Sequence, residues 1–193
     1  WSNLSDNSEK SKKLLNVPVV IMAGGKGSRL EPFTKVLPKP LIPINEKPII
    51  EHIIERFTEQ GCNEFYLTIN YKGRLLKAFF EDLQPDYRLH YIEEQEPLGT
   101  AGSLRFLDGQ FNQSFFVTNC DVISDINYAE ALDYHKQNSA DATMVVRRYE
   151  AKNPFGVIET QGNNFISYYE KPTRYENINA GIYIFESSAL SHL

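Results

Sequence analysis

An apolar run that leads directly into a glycine-rich stretch constrains the fold of this chain more than any other feature. Residues 17–23 are apolar throughout, which is typical of a strand buried in a parallel sheet. The stretch GGKGSR follows at residues 24–29. Its glycines let backbone N–H groups come close to a ligand and let the chain turn through positive φ. Arg29 and Lys39 add positive charge. The segment therefore predicts an anion-binding loop.

Two widely known phosphate loops do not match this segment. The dinucleotide-binding fingerprint requires a third glycine where this chain has Leu30, and the P-loop requires a Gly-Lys-Ser/Thr that is missing at the necessary offset. The prolines that follow, from Pro32 to Pro43, also prevent a long helix directly after the loop. The loop therefore belongs to another class.

The remainder of the chain indicates an α/β fold. Helical patterns at residues 48–61, 73–83, 100–107 and 127–138 alternate with strand patterns at residues 64–70, 87–94 and 114–121. This alternation predicts a Rossmann-like, mixed but mostly parallel sheet flanked by helices. The later strand patterns, at residues 142–150, 155–160, 164–172 and 179–185, have no helix between them. They predict an antiparallel second part.

Composition excludes several classes of protein. The net charge of −5 argues against a nucleic-acid-binding protein, which would usually carry a basic stripe. No apolar run reaches the length of a membrane span, so we expect no membrane partner. Cys62 and Cys120 lie in different contexts, which favours reduced thiols and a cytoplasmic location, and the histidines lack metal-ligand spacing. Residues 1–16 are mostly polar and predict a linker or tail.

The whole segment from Ala23 to Pro40 indicates one class of protein much more specifically than the glycine loop does alone. It contains AGGKGSRL at residues 23–30, PFT at Pro32–Thr34 and PKP at Pro38–Pro40. In this order it resembles the signature of the sugar nucleotidyltransferases, or nucleoside-diphosphate-sugar pyrophosphorylases, and most closely their guanylyl-transferring members. The resemblance extends over Val17–Phe185. It implies a GT-A-like catalytic domain at residues 17–193 whose C-terminal end is missing.

The resemblance also implies the reaction. Family members join a nucleoside triphosphate to a sugar 1-phosphate, with Mg²⁺ as cofactor, and release pyrophosphate. They serve nucleotide-sugar biosynthesis, including that of cell-surface polysaccharides. Arg29, Lys39 and Asp121 would be the catalytic residues, with Asp121 also the metal ligand. The implied nucleotide-binding residues are Ala23, Gly24, Gly25, Gly27, Ser28, Arg29, Glu94, Gly99 and Thr100.

The choice of base rests on Glu94, since the resemblance implies that this residue occupies the position that reads the base edge. A carboxylate accepts hydrogen bonds, and guanine offers two adjacent donors there, so GTP is favoured over CTP and UTP. The other interpretation is that Glu93, Glu94 and Glu96 form a solvated strand end.

The sugar 1-phosphate would be held by residues of the later strands. The resemblance assigns this role to Gly156, Glu170, Lys171, Asn179 and Gly181. A second metal ligand is not evident in the sequence. The resemblance also allows a homo-oligomer and an upstream regulatory domain. The alternatives are a non-catalytic regulatory homologue that binds nucleotide sugars, and a member that transfers uridylyl, cytidylyl or thymidylyl groups.

Overall fold

The described part of the fold consists of ten strands and three α-helices, with short 3-10 segments between some of them. It is known from a computed structural model that describes residues 14–94 and 102–192. The strands are β1 (Val19–Met22), β2 (Pro43–Ile44), β3 (Lys47–Pro48), β4 (Glu64–Ile69), β5 (Arg88–Glu93), β6 (Phe115–Asn119), β7 (Ala142–Lys152), β8 (Val157–Gln161), β9 (Asn164–Tyr169) and β10 (Thr173–Phe185). The α-helices are α1 (Ile49–Thr58), α2 (Gly73–Leu83) and α3 (Tyr128–Gln137).

The main sheet confirms the predicted mixed, mostly parallel arrangement. Its strands are ordered β5-β4-β1-β6-β10-β7. The ladders β5/β4, β4/β1 and β1/β6 are parallel, and β10 runs antiparallel to β6. The carboxyl ends of β4, β1 and β6 therefore meet at one edge of the sheet, where ligands collect in open α/β folds.

The chain forms two compact units. The first contains the residues up to Thr143 together with those from Ile182 onward, and the second is Met144–Gly181. In the second unit β8 and β9 form an antiparallel hairpin with an irregularity between Glu159 and Thr160. The antiparallel part that the sequence predicts is thus present.

Different segments cover the two faces of the parallel part of the sheet. On one face, Phe57 of α1 contacts Phe116 and stacks on Tyr128 of α3. On the other face, Leu104 belongs to the 3-10 segment Gly102–Leu107 and packs in a cluster with Val20 of β1 and the neighbouring strands. Of the helix predicted at residues 100–107, the described part, Gly102–Leu107, is a 3-10 segment and not a regular α-helix.

Helix α1 shows how local sequence produces this packing. Its four isoleucines and Phe57 are buried, as helical spacing of the apolar residues predicts. Pro48 precedes the helix, where a missing N–H costs nothing.

The largest difference from the sequence prediction is at β10, which begins at Thr173 and not at Asn179. Its first half is mostly charged and polar, with only Tyr175 and Ile178 as large apolar or aromatic residues, so it lacks the regular apolar alternation that identifies a strand. Within the described residues, no helix is both long and apolar enough to cross a membrane.

Candidate active site

A cleft of about 500 Å³ opens in the first unit where β1, β4 and β6 end. Met22 of β1 is in register with Thr68 of β4 on one side and with Asn119 of β6 on the other, and all three residues line the cleft. The predicted site residues that also line it are Gly24, Gly25, Gly27, Ser28, Arg29, Lys39, Glu94 and Asp121. The sheet topology thus brings together residues that are far apart in the chain.

The glycine loop owes its shape to Gly27. Gly27 has a φ of 64°, in the left-handed region. A Cβ atom at this position would lie 2.9 Å from Thr34 Cγ2 and 3.1 Å from Lys39 Cβ. The Gly27 carbonyl accepts a hydrogen bond from Thr34 Oγ1 at 3.1 Å. Of the three glycines of the loop, Gly27 alone has positive φ, so the expectation that all three turn through this region is wrong.

The other two glycines provide space. A Cβ at Gly25 would meet no atom of the described residues within 4 Å, and Gly25 lines the cleft. A Cβ at Gly24 would lie 2.9 Å from Glu94 Oε1. Ala23 is buried, and its N–H donates to Thr68 O at 3.0 Å and to Thr68 Oγ1 at 3.3 Å. Its N–H is therefore engaged by β4, and Ala23 is not among the residues that line the cleft.

Lys39 is held by its neighbours in the sequence. Pro38 and Pro40 on either side of it are buried, whereas the Lys39 side chain is 21% exposed. Its ammonium donates to Asp121 Oδ2 at 2.5 Å. A lysine ammonium has three N–H donors, so two remain for a ligand. The resemblance assigns both residues to the reacting centre, and the structure places them in contact.

The two adjacent glutamates at the carboxyl end of β5, Glu93 and Glu94, have different environments. Glu93 is exposed and forms an ion pair with Lys77, and this hydrogen bond lowers the pKa of the Glu93 carboxyl. Glu94 lines the cleft against Gly24, and its carbonyl accepts a hydrogen bond from Asn70 Nδ2 at 2.6 Å. The interpretation as a solvated strand end therefore describes Glu93 and not Glu94. Gly99, Thr100 and Glu96 lie outside the described residues.

Asp121 is the only acidic side chain at the β6 end of the cleft among the residues described. It is 40% exposed, and Asn119 adds a side-chain oxygen nearby in the sequence. No cluster of three or more His, Cys, Asp or Glu residues occurs in the described part of the chain. Mg²⁺ is commonly held by one or two carboxylates together with substrate phosphates and water. This donor set therefore fits a Mg²⁺ that is shared with phosphates.

Cys120 also lines the cleft, but its chemistry is not that of a nucleophile. It is 5% exposed, and burial raises the pKa of its thiol to about 12. The thiolate is the reactive form of cysteine. Cys120 is therefore an apolar wall residue at neutral pH.

Ser103 is a cleft residue that sequence reasoning missed. It is 1% exposed, and its Oγ has no hydrogen-bond partner in the part of the chain that the structure describes. A buried polar group without a partner costs about 1–3 kcal/mol. No sequence pattern signals this, because the burial depends on the packing of Leu104 and Leu107 against the sheet.

The predicted sugar-phosphate residues all lie in the second unit. Gly156 contacts Tyr168 so closely that an added Cβ would lie 2.3 Å from the Tyr168 hydroxyl oxygen. This hydroxyl donates to Glu170 in a short hydrogen bond. Lys171 follows Glu170 and has a φ of 45°, which is rare for a residue with a side chain.

Asn179 and Gly181 form a second local arrangement in this unit. The Gly181 N–H donates to Asn179 Oδ1 at 2.8 Å, and Gly181 has a φ of 74°. A residue with a side chain would be strained there. The structure thus groups the predicted residues as Gly156 with Glu170, and Asn179 with Gly181.

Comparison with known sequences identifies the family. The model of the family described as "Nucleotidyl transferase" matches residues 18–193. The mannose-1-phosphate guanyltransferase of Hypocrea jecorina is 35% identical over 184 residues, and that of Yarrowia lipolytica is 37% identical over 180 residues. These matches cover 90% and 89% of this chain and 50% of each relative. The chain therefore spans about half the length of the curated relatives it matches.

Solved structures show the same fold. HddC from Yersinia pseudotuberculosis superposes with a TM-score of 0.67 at 26% identity, over 92% of this chain and 80% of that one. A putative glucose-1-phosphate thymidylyltransferase from Bacillus anthracis has a TM-score of 0.70 at 23% identity, over 91% and 74% of the two chains, and supports the fold alone. With its glycine loop, Lys39 and Asp121 gathered at the end of a mostly parallel sheet, the chain belongs to the nucleotidyl transferase family.

Proposed function

We propose that this protein transfers a nucleotidyl group from a nucleoside triphosphate to a sugar 1-phosphate, and that GTP is the preferred triphosphate. The observation that carries the proposal is the cleft itself. It combines an open glycine loop, the cations Arg29 and Lys39, and the carboxylate of Asp121 at the carboxyl edge of the sheet. Such a site holds phosphates by backbone N–H groups and positive charge.

The reaction forms one bond and breaks one. An oxygen of the sugar phosphate attacks the α-phosphorus, the new P–O bond forms, and the bond to the bridging oxygen breaks as pyrophosphate leaves. Little covalent chemistry falls to the protein, so orientation and neutralisation of charge supply the rate. Arg29 and the amides of the glycine loop would hold the triphosphate, and the free N–H donors of Lys39 would bind oxygens at the reacting phosphorus.

Asp121 and Asn119 would hold Mg²⁺ on the opposite side of the loop from Glu94. When bound, Mg²⁺ would neutralise phosphate charge and orient the phosphate oxygens. In the structure the Asp121 carboxylate forms an ion pair with the Lys39 ammonium. The fold alone therefore brings both charges to the cleft.

Two observations support guanine as the base. The Glu94 carboxylate is directed against Gly24 in the cleft, where it would accept hydrogen bonds from adjacent donors of a base edge. The relatives at 35% and 37% identity are named as mannose-1-phosphate guanyltransferases. We therefore propose GTP and mannose 1-phosphate as the first substrate pair to assay.

The experiment is a matrix of substrates with the full-length protein. Release of pyrophosphate is measured for each common nucleoside triphosphate with mannose, glucose and glucosamine 1-phosphates, with and without Mg²⁺. We expect the highest kcat/KM with GTP and loss of turnover without Mg²⁺. A higher kcat/KM with UTP, CTP or dTTP would overturn the choice of base. Nucleotide-sugar binding with no turnover in any pair would instead establish a regulatory homologue.

The proposal includes a cytoplasmic location and a role in supplying nucleotide sugars, for example to cell-surface polysaccharides. Both cysteines are free and buried, which agrees with a reducing compartment. A homo-oligomer and an upstream regulatory domain stay predictions. The assignment of residues 17–193 as the catalytic domain also stays a prediction.

A further inference from the structure

The buried hydroxyl of Ser103 is the unexplained polar group of the cleft. Ser103 is 1% exposed, its Oγ lacks a hydrogen-bond partner among the described residues, and it lines the same cleft as Glu94 and Gly25. Buried polar groups are nearly always paired, and an orphan at a ligand site is explained when the ligand supplies the partner. The hydroxyl can both donate and accept.

The packing around Ser103 places it on a defined face of the sheet. The next residue, Leu104, is buried in the cluster that contains Val20, and Met22 and Ile92 pack against this same cluster. Met22 itself lines the cleft. Glu94 follows Ile92 by two residues, so the extended chain directs both side chains to the same face. Ser103 and Glu94 thus belong to the same side of the site.

The charges of the cleft decide which part of a nucleotide lies on this side. Arg29 and Lys39 come from the glycine loop and the segment after it, where phosphates would bind. Glu94 is an anion and repels phosphate oxygens. An uncharged group therefore belongs beside Glu94. We propose that the Ser103 hydroxyl hydrogen-bonds the nucleoside part of the nucleoside triphosphate, its base or its ribose, and so contributes to nucleotide affinity. This inference rests on the proposed function, because it needs a nucleotide in the cleft.

The test is Ser103→Ala in the full-length protein. We expect the Kd and KM for the nucleoside triphosphate to rise roughly 2- to 10-fold, as for loss of one uncharged hydrogen bond. The kcat and the KM for the sugar 1-phosphate should not change. The ligand-free variant should melt at the same temperature as the wild type or higher, because an unpaired buried hydroxyl has been removed. The thermal shift on adding nucleotide should be smaller. A structural role for Ser103 would instead lower the melting temperature of the ligand-free protein.

Ser114→Ala is the matched control. Ser114 is also a buried serine, but its hydroxyl donates to Glu186 Oε1 at 2.7 Å, and it does not line the cleft. Its replacement should lower the melting temperature and leave the KM for the nucleotide unchanged. The contrast separates loss of a ligand contact from loss of a folding contact.

Ligand analogues locate the contact. Binding of inorganic tripolyphosphate should be equal in wild type and Ser103→Ala, whereas weaker binding in the variant would place the contact on the phosphates and overturn the proposal. The deoxyribonucleoside triphosphate and inosine triphosphate test the ribose and the base in turn. If an analogue lacks the group that Ser103 contacts, it should bind the wild type and Ser103→Ala with equal affinity. Equal binding of the deoxyribonucleotide would therefore place the contact on the ribose, and equal binding of inosine triphosphate would place it on the base.

The outcomes for the two proposals are distinguishable. Turnover by the wild type with an unchanged nucleotide KM in Ser103→Ala contradicts the inference and leaves the proposed function intact. Calorimetric binding of nucleotide that is weakened in Ser103→Ala, without turnover by the wild type, supports the inference and contradicts the proposed catalysis. If the wild type binds no nucleotide, both are wrong.

Discussion

Lys39 combines a fixed backbone with an accessible charge. The buried prolines on either side hold the main chain, and the ammonium reaches Asp121 across the cleft. Because both charged groups are partly exposed, the ion pair adds less than about 1 kcal/mol to stability. The pair therefore contributes little to the stability of the fold, and under the proposed function it would position charge for a ligand.

We expect Lys39→Ala to lower kcat roughly 10²–10³-fold while the protein remains folded, since a preorganised charge at the reacting centre is lost. Steady-state kinetics and circular dichroism measure the two effects. Lys35→Ala is the control, because Lys35 forms a surface ion pair with Glu31 at 3.4 Å and is 68% exposed. Similar rates for Lys39→Ala and wild type would remove Lys39 from the mechanism.

Replacing Gly25 by alanine tests whether the nucleotide approaches the glycine loop from the cleft. Among residues 14–94 and 102–192, a Cβ there would meet no atom within 4 Å, so the free energy of unfolding should change by less than about 0.5 kcal/mol. The new methyl group would stand in the cleft, and we expect a higher KM for the nucleoside triphosphate. Gly109→Ala is the converse control. Its φ of 73° makes alanine strained, so it should destabilise by about 1–2 kcal/mol without altering KM. An unchanged KM in Gly25→Ala would show that the nucleotide does not approach this glycine.

At the scale of elements, a buried polar network joins α3 to the strands beside it. His135 of α3 is fully buried, with Nδ1 at 2.8 Å from Thr143 Oγ1 and Nε2 at 3.1 Å from Glu186 Oε1. Ser114 donates to the same glutamate oxygen. The spacing of the histidines did not suggest a metal site, and the structure shows that His135 packs inside the fold.

We expect His135→Ala to lower the free energy of unfolding by about 2–3 kcal/mol, because it leaves a cavity and removes two hydrogen bonds inside the fold. Urea denaturation measures the loss. Lys136→Ala changes the exposed neighbour on α3 and should stay within about 0.5 kcal/mol of the wild type. A small effect of His135→Ala would mean that water or a shifted side chain satisfies Glu186. At temperatures where both variants stay folded, their catalytic rates should equal that of the wild type, since neither His135 nor Lys136 lines the cleft.

At the scale of the whole molecule, burial controls the ionisation of both cysteine thiols. Cys62 and Cys120 are 1% and 5% exposed, and burial raises the pKa of each thiol to about 12 from an ordinary value of 9.0. Between these values the unfolded chain ionises its thiols while the folded chain keeps them protonated. The folded state then binds more protons, so stability falls as pH rises above about 9.

We therefore expect the free energy of unfolding to be flat with respect to these thiols at neutral pH and to decline above about pH 9. Urea titrations across the alkaline range measure the decline, and replacing both cysteines by alanine should reduce it. Iodoacetamide should label neither thiol in the folded protein at neutral pH and both in denaturant. Rapid labelling of the folded protein would contradict this account of their burial.

Much of the architecture could be predicted from local patterns. The bounds of α2 match the prediction, and the strand predicted at residues 64–70 is β4, Glu64–Ile69. The GGKGSR to PKP segment contributes residues to the cleft lining, as its pattern led us to expect, while its binding of phosphate stays a prediction. The 3-10 form of Gly102–Leu107 and the early start of β10 could not be predicted, because neither has a distinct apolar period.

By itself, the sequence determined the order of elements, the parallel sheet and the loop, because hydrophobic period, glycine and proline act over a few residues. Only the tertiary structure decided which side chains meet. Lys39 and Asp121 are 82 positions apart and come into contact because the chain after β1 lies beside the end of β6. Glu94 faces Gly24 while Glu93 faces solvent, and Ser103 is buried with no hydrogen-bond partner for its Oγ among the residues that the structure describes. These contacts depend on how separate strands are placed side by side, and no local pattern encodes that placement.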